Sequence, residues 1–129
     1  MTLRAGLTYD LRKDYLAQGL SEEETAEFDS EVTIDGLDRA LTGLGFKTDR
    51  IGNIKHLVPR LAKGERWDFV LNMCEGLSGI GREAQVPALL EAYGIPCVFA
   101  DTLTACVTLD KGIAKLMVAN AGVPTPPFT

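Results

Sequence analysis

The sequence predicts an α/β fold in which a small, mainly parallel sheet of four to five strands carries helices on both faces. Short apolar segments alternate with segments of helical periodicity, which is typical of parallel strands joined by right-handed crossovers. Residues 69–71 are wholly apolar, as expected of a strand covered on both sides. A chain of 129 residues with 46% hydrophobic residues is long enough to form one core without disulfides.

The first strand is predicted over residues 3–9, although its alternation of apolar and polar residues is imperfect. A polar, acidic segment follows at residues 10–28. Within it, Ser21 and Glu24 have the spacing of a capping box, in which each side chain binds the backbone N–H of the other residue. The capping box predicts a short surface helix over residues 22–28.

The clearest helix comes next, because its apolar positions recur at helical spacing: Ile34, Leu37, Leu41 and Leu44. Asp29 or Ser30 can cap its N-terminus, and Gly45 can adopt the left-handed conformation that ends a helix. A second strand is predicted over residues 46–51.

Asn53 predicts the start of a helix over residues 54–63, which Gly64 would end. Pro59 lies inside this helix. Because proline lacks a backbone N–H and clashes with the preceding turn, we expect the helix to be kinked there or to begin later.

The third strand ends at a polar, glycine-rich turn that leads into a helix over residues 84–93. A fourth short strand is predicted over residues 97–99. In open parallel sheets, ligands bind at the carboxyl ends of the strands. We therefore expect the functional site at the turn after the third strand.

Asp101 and Asp110 can cap two further helices, through residue 107 and over residues 111–121. Three prolines within residues 124–127 are typical of an extended linker. The prediction is a substrate domain at residues 1–123 and the start of a linker to a further domain at residues 124–129.

Charge and composition exclude several classes of function. A net charge of −5 argues against a nucleic-acid partner, because nucleic-acid binding requires an excess of lysine and arginine. No apolar run approaches the ~18 residues of a membrane span, and no signal peptide precedes the first strand, so a cytoplasmic protein without a membrane partner is expected. Cys74, Cys97 and Cys106 lack metal-binding spacing and are expected to be buried thiols, with no metal site.

Two interpretations of the glycine-rich turn remain open. Gly76, Gly79 and Gly81 could hold a phosphate or carboxylate with backbone N–H groups, or they could simply permit a tight connection. Glu31 and Glu75 would both lie at the carboxyl edge of the sheet, where a shared hollow could hold a ligand ammonium group. Glu31 could equally do no more than stabilise its helix, as an acid in the first turn.

Lys111 lies at a predicted helix start, where a cation opposes the helix dipole. It could hold an anion or be a solvated surface lysine. The sequence alone leaves the two roles open.

Several motifs, taken in chain order, resemble the N-terminal, pre-ATP-grasp domain of D-alanine:D-alanine ligases, a family of the ATP-grasp superfamily. Residues 30–33 resemble the family's H-E-V-S element, which opens its first long helix, and residues 75–79 resemble its H-G-x-x-G loop. The pair Asp110 and Lys111 and residues 121–128 resemble the end of that domain. The resemblance covers most of the chain and implies a Rossmann-like three-layer fold.

The resemblance also implies site residues. Glu31 would be a catalytic residue that holds the first amino-acid substrate, and Glu75 and Gly76 would line the same substrate site. Lys111 would contact the ATP phosphates. ATP and Mg²⁺ would be the cofactors, and the full-length enzyme would form a dipeptide for peptidoglycan synthesis through an acyl phosphate.

The resemblance further implies that other domains complete the enzyme. The ATP site and metal ligands would lie in domains after Phe128, so the 129 residues alone are expected to be inactive. A homodimer through this domain is also implied. Glu75 replaces the family's histidine, which leaves open a ligase for a different amino acid or peptide. A stand-alone binding or interaction module without catalysis is the other alternative.

Overall fold

The computed structural model describes residues 1–128 and contains a four-stranded parallel sheet. The strands are β1 (Arg4–Tyr9), β2 (Lys47–Gly52), β3 (Phe69–Met73) and β4 (Cys97–Val98). Their spatial order is β2-β1-β3-β4, and all three neighbouring pairs are parallel. The predicted α/β fold is confirmed. Because the chain moves outward from β1 in one direction and from β3 in the other, a topological switch point lies between the carboxyl ends of β1 and β3.

Within residues 1–128, six α-helices accompany the sheet: α1 (Arg12–Ala17), α2 (Glu31–Gly43), α3 (Ile54–Ala62), α4 (Gln85–Ala92), α5 (Thr102–Leu109) and α6 (Lys111–Asn120). A single 3₁₀ turn, Arg82–Ala84, precedes α4. Four helices begin at a side-chain cap that the sequence predicts: Ser30, Asn53, Asp101 and Asp110. The helix starts with such a cap were therefore predicted correctly.

The two faces of the sheet carry separate apolar cores because successive strand residues point to opposite sides. In β3, Val70 belongs to the core shared with α3 and α4, whereas Leu71 belongs to the core shared with α2. Leu57 and Leu61 of α3 are buried in the first of these cores. The helices therefore cover both faces, as the three-layer prediction requires.

The helix predicted over residues 22–28 is wrong, since this segment consists of turns. The capping box itself exists: the Ser21 N–H donates to the Glu24 carboxylate at 2.8 Å, and the Glu24 N–H donates to the Ser21 hydroxyl at 3.2 Å. Starting a helix is costly, and this segment has no apolar face to offset the loss of chain entropy.

The helix that forms in this region is α1, which was not predicted from the sequence. Its anchor is Tyr15, which is buried and whose ring lies 4.6 Å from the ring of Phe28, centroid to centroid. One buried aromatic residue gives no periodic pattern. For this reason the helix could not be recognised from the sequence.

Pro59 lies within α3, which begins at Ile54 and continues to Ala62. The expectation of a later start is therefore wrong. Leu57 and Leu61 lie on either side of Pro59, and their burial stabilises the helix enough to offset the cost of the proline.

The cysteine prediction is correct for one thiol only. Cys74 is buried, Cys97 is half-buried and Cys106 is exposed. Cys106 lies on α5, in which only Ala105 is buried. Being next to this buried residue in the sequence therefore does not bury Cys106.

Asp49 in β2 forms the largest network of charged side chains near the core. Its carboxylate accepts hydrogen bonds from Arg60 of α3 at 2.6 and 3.0 Å and from the Trp67 indole at 2.9 Å, and it pairs with Arg4. Burial by itself raises the pKa of Asp49, but the hydrogen bonds from Arg60, Trp67 and Arg4 outweigh burial and lower this pKa to about 2.

Candidate functional site

Asp10 is the centre of the polar structure at the switch point. It directly follows β1 and is only 2% exposed. One carboxylate oxygen accepts hydrogen bonds from the backbone N–H groups of Glu75 and Gly76, each at 3.0 Å, and the other accepts one from the Tyr15 hydroxyl. Asp10 therefore fastens the loop after β3 to the end of β1.

Asp10 is not among the site residues predicted from the sequence. Its position in the sequence could have marked it as a site residue. An acid directly after a strand next to the switch point lies where ligands bind in open parallel sheets. The resemblance drew attention to Glu31 and Glu75 instead. Asp10 lies outside both matched motifs.

Tyr15 extends the network to a third element. Its hydroxyl donates to Asp10 and accepts a hydrogen bond from the Asn53 side chain at 3.1 Å. Burial, followed by the hydrogen bond to Asp10, raises the pKa of Tyr15 well above its ordinary value. The tyrosine therefore stays neutral and joins α1 and the start of α3 to β1.

The backbone of the glycine-rich loop explains the glycine at position 76. Gly76 has a φ of +71°, and a Cβ atom placed on it would lie 2.5 Å from the carbonyl oxygen of Arg82. Only glycine fits this position. The N–H groups of Glu75 and Gly76 already donate to Asp10, so these two groups are not free to bind a phosphate.

Glu75 lines a cavity of about 290 Å³ together with Asn72, Glu83, Phe99 and Thr108. Among residues 1–128, no side chain forms a hydrogen bond or salt bridge with the Glu75 carboxylate. Burial raises the pKa of Glu75, and the nearby charges of Glu83 and Glu27 raise it further. This cavity favours a positively charged or neutral group rather than an anion.

Glu31 lies elsewhere. It is the first residue of α2, and its carboxylate pairs with Lys13 of α1 on the surface, with both side chains more than half exposed. It lines a cavity of about 230 Å³ with Lys13 and Asp29. Glu31 and Glu75 thus line different cavities, in contrast to the shared hollow expected from the sequence. The substrate-binding roles of Glu31, Glu75 and Gly76 remain predictions.

Lys111 is the first residue of α6, and its ammonium group donates to the carbonyl oxygen of Thr108 at 2.8 Å. Thr108 lies in the last turn of α5, where the negative end of the helix dipole favours a cation. The end of α5 therefore offsets the unfavourable position of Lys111 at the start of α6. The exposed lysine remains accessible, and its role in binding ATP remains a prediction.

A third cavity, which we call the switch-point cavity, has a volume of about 150 Å³ and is lined by Asp10, Tyr15, Lys55, Cys74 and Arg82 among others. Arg82 pairs with Glu27 at 2.8 Å and lies 3.6 Å from the carboxylate of Glu83. Lys55, at the start of α3, forms no salt bridge with any residue from 1 to 128. The cavity therefore contains charged groups of both signs.

Within residues 1–128, no group of three or more histidine, cysteine, aspartate or glutamate side chains could hold a metal ion. In the same residues, no helix is both long enough and apolar enough to cross a membrane.

Comparison with known proteins finds sequence relatives and structural neighbours, although no protein-family model matches the chain. D-alanine–D-alanine ligase of Moorella thermoacetica is 36% identical over 89 residues, which are 69% of this chain and 28% of that protein. D-alanine–D-alanine ligase B of Xanthomonas campestris is 29% identical over 113 residues, which are 88% of this chain and 34% of that protein. The chain thus spans about a third or less of these relatives.

The structural comparison agrees. D-alanine–D-alanine ligase of Bacillus anthracis has a TM-score of 0.61 and 21% identity, over 98% of this chain and 37% of that chain. The same enzyme complexed with ATP gives a TM-score of 0.62. At this identity the structures establish the shared fold, and the sequence relatives confirm the resemblance that the motifs indicate.

Proposed function

We propose that this chain is the N-terminal substrate-binding domain of an ATP-dependent carboxylate–amine ligase of the D-alanine–D-alanine ligase type. The observation that carries the proposal is the similarity to such ligases over 69–88% of the chain. It is supported by a fold in which the loop after β3 lies at the carboxyl edge of a parallel sheet. The domain would comprise residues 1–123, and residues 124–129 would begin the linker to an ATP-grasp domain.

In the reaction we propose for the full-length enzyme, phosphoryl transfer from ATP activates the carboxylate of a first amino acid. The amine of a second amino acid then attacks the acyl phosphate, which releases phosphate and leaves a dipeptide. Lys111 would contribute to ATP binding, since its exposed ammonium group can reach an anion. Mg²⁺ would accompany ATP, but residues 1–128 offer no cluster of metal ligands, so we place none of its ligands in this chain.

Glu31 would contact the ammonium group of the first substrate. Its present partner, Lys13, is more than half exposed, and exposed ion pairs contribute only about 0.2–1 kcal/mol. A substrate ammonium group can therefore replace Lys13 at little cost. The resemblance also assigns Glu75 and Gly76 to substrate binding, and in this chain they line cavities other than that of Glu31.

The test uses the full-length protein with ATP, Mg²⁺ and D-alanine, and measures phosphate release. We expect Glu31→Ala to lower kcat/KM about ten- to a hundred-fold, which corresponds to losing a charge-assisted contact of about 1.5–3 kcal/mol. Glu23→Ala is the matched control, because Glu23 is exposed in the neighbouring segment. Equal kinetics for both variants would remove Glu31 from the site.

The chain also needs to be tested alone. Residues 1–129 should release no phosphate under conditions in which the full-length protein is active. A full-length protein without amino-acid-dependent phosphate release would favour the stand-alone binding module instead. The homodimer is part of the same proposal, and sedimentation velocity of the full-length protein would test it.

Glu75 favours a second candidate, a ligase of the same type that uses a different amino acid or peptide. Glu75 and Glu83 place two carboxylates in one cavity, which would suit a substrate with an additional positive charge. A screen of amino acids for ATP-dependent phosphate release by the full-length protein would distinguish the two. Greater activity with a diamino acid than with D-alanine would favour the second candidate.

A further inference from the structure

The last helix, α6, differs from the other five helices within residues 1–128 because none of its own residues is buried. Each of the others buries at least one side chain. The element against which α6 packs is α5, the helix before it. In proteins, a helix gains most of its stability from packing an apolar face against another element. In α6 that face is left uncovered.

Three exposed apolar side chains of α6 lie on one side of the helix, because Ile113, Leu116 and Met117 are three and four residues apart. They are 49%, 61% and 57% exposed, and we call them the α6 stripe. Single exposed apolar residues are common on protein surfaces, whereas a contiguous apolar patch marks a site of interaction. The α6 stripe therefore indicates an occupant.

The chain that follows α6 returns alongside the helix. Gly122 has a φ of +77°, and the Val123 N–H donates to the Val118 carbonyl oxygen at 3.2 Å, which ends the helix and reverses the chain. The ring of Phe128 then lies 5.3 Å from the Lys115 ammonium nitrogen, measured to the ring centroid. Residue 128 therefore lies beside the middle of α6 and not beyond its C-terminal end.

The position of residue 128 favours one occupant over another. The residues matched to this chain make up only 28% and 34% of two ligase relatives, so a ligase of that type contains a large part beyond this domain. A domain tethered beside α6 has an effective concentration in the millimolar range. A second copy of the chain would have to be recruited from free solution. The tethered domain is therefore the favoured occupant.

We propose that the α6 stripe docks onto the domain that follows residue 129, and that this contact fixes the position of Lys111 relative to bound ATP. The inference rests on the proposed function, in which Lys111 contributes to ATP binding. Lys111 is the first residue of α6 and lies about 9 Å along the helix axis from Met117, at about 1.5 Å per residue. Docking the stripe thus also orients the first turn of the helix. The three stripe residues are positioning residues that act through Lys111.

The first experiment measures how fast hydrogen peroxide oxidises Met117 in the full-length protein. Mass spectrometry of the peptides compares the folded protein with the same protein in concentrated urea. A methionine that stays 57% exposed should oxidise within about threefold of its unfolded rate, whereas a covered one should oxidise at least about tenfold more slowly. We expect the slow rate. It should not depend on protein concentration, because the occupant belongs to the same chain.

The second experiment compares Leu116→Glu with Leu44→Glu in the full-length protein. Leu44 is the matched control, since it is a leucine at the end of α2 that is 73% exposed. Leu116→Glu should raise the KM for ATP about tenfold or more and change the KM for D-alanine less than about twofold, because a charge in the stripe disturbs the docking that positions Lys111. Leu44→Glu should change neither KM.

A conservative variant separates docking from damage to the fold. Leu116→Met keeps an apolar side chain of similar volume and should retain the wild-type KM for ATP. Both leucines are more than half exposed, so all three variants should fold, which circular dichroism would confirm. A general loss of structure would instead change kcat and both KM values together.

Three results would overturn the inference. Met117 could oxidise nearly as fast in the folded protein as in urea, or Leu116→Glu and Leu44→Glu could have equal effects on the KM for ATP. Protection of Met117 that disappears on dilution would assign the stripe to a second copy of the chain.

Phosphate release by the full-length protein separates these failures from failure of the proposed function. An active enzyme with an unprotected Met117 retains the ligase function and loses the docking surface. A protected Met117 in a full-length protein that releases no phosphate retains the docking surface and loses the ligase function.

Discussion

Replacing Asp10 with alanine removes the one acceptor that three donors share. The Glu75 and Gly76 N–H groups and the Tyr15 hydroxyl would each lose a partner at a position where Asp10 itself is only 2% exposed. A buried donor left without a partner costs about 1–3 kcal/mol. The two loop amides are half-buried, so water can partly replace Asp10 there, and we expect a total loss of about 3–5 kcal/mol.

The assay is urea unfolding followed by the fluorescence of Trp67, the one tryptophan of the chain, which is 5% exposed in the folded protein. A loss of 3–5 kcal/mol is a large fraction of the 5–15 kcal/mol typical of a domain. The urea midpoint of Asp10→Ala should therefore fall steeply. Asp10→Asn should lose less, about 1–2 kcal/mol, because its amide oxygen can still accept from both loop amides.

Asp14→Ala is the control, since Asp14 is an exposed acid in the first turn of α1. It should lose no more than about 1 kcal/mol, which is the value of a favourable charge at a helix N-terminus. If Asp10→Ala were no less stable than Asp14→Ala, Asp10 would not be the anchor of the loop. Other contacts would then hold the loop after β3 in place.

Two further predictions concern the sheet and the loop. The pKa of Asp49 is lowered from 3.8 to about 2, so its ionised form stabilises the fold by about 2 kcal/mol above pH 3.8, and this contribution is lost as the pH falls towards 2. Urea midpoints measured from pH 2 to 6 should show this loss in the wild type and a smaller one in Asp49→Asn; equal pH profiles would contradict it. Gly76→Ala should lower the free energy of unfolding by more than about 1–2 kcal/mol in the same assay. The φ at this position is +71°, and the Cβ of the alanine would meet the Arg82 carbonyl. Gly36→Ala, which has open space inside α2, should instead gain about 0.5–1 kcal/mol, and similar effects at both glycines would refute the argument from the backbone.

Local rules predicted those parts of the fold that depend on neighbours in sequence. Ser30, Asn53, Asp101 and Asp110 each accept a hydrogen bond from an N–H group two or three residues further along the chain, so a short segment contains the whole interaction. The left-handed conformation of Gly45 likewise depends on the end of one helix. The same local reasoning failed at residues 22–28, where the capping-box bonds formed but no apolar face supported a helix.

The sequence by itself determined the alternation of strands and helices, the parallel sheet and the resemblance to the ligase family, because these depend on periodicity, caps and motif order. Only the tertiary structure decided which side chains meet at the candidate site. Asp10 and Gly76 are 66 residues apart and meet because β1 and β3 are neighbours in the sheet, while Lys13 of the unpredicted α1 binds Glu31 outside the cavity of Glu75. Such contacts depend on how distant segments pack together, and no local pattern in the sequence records that packing.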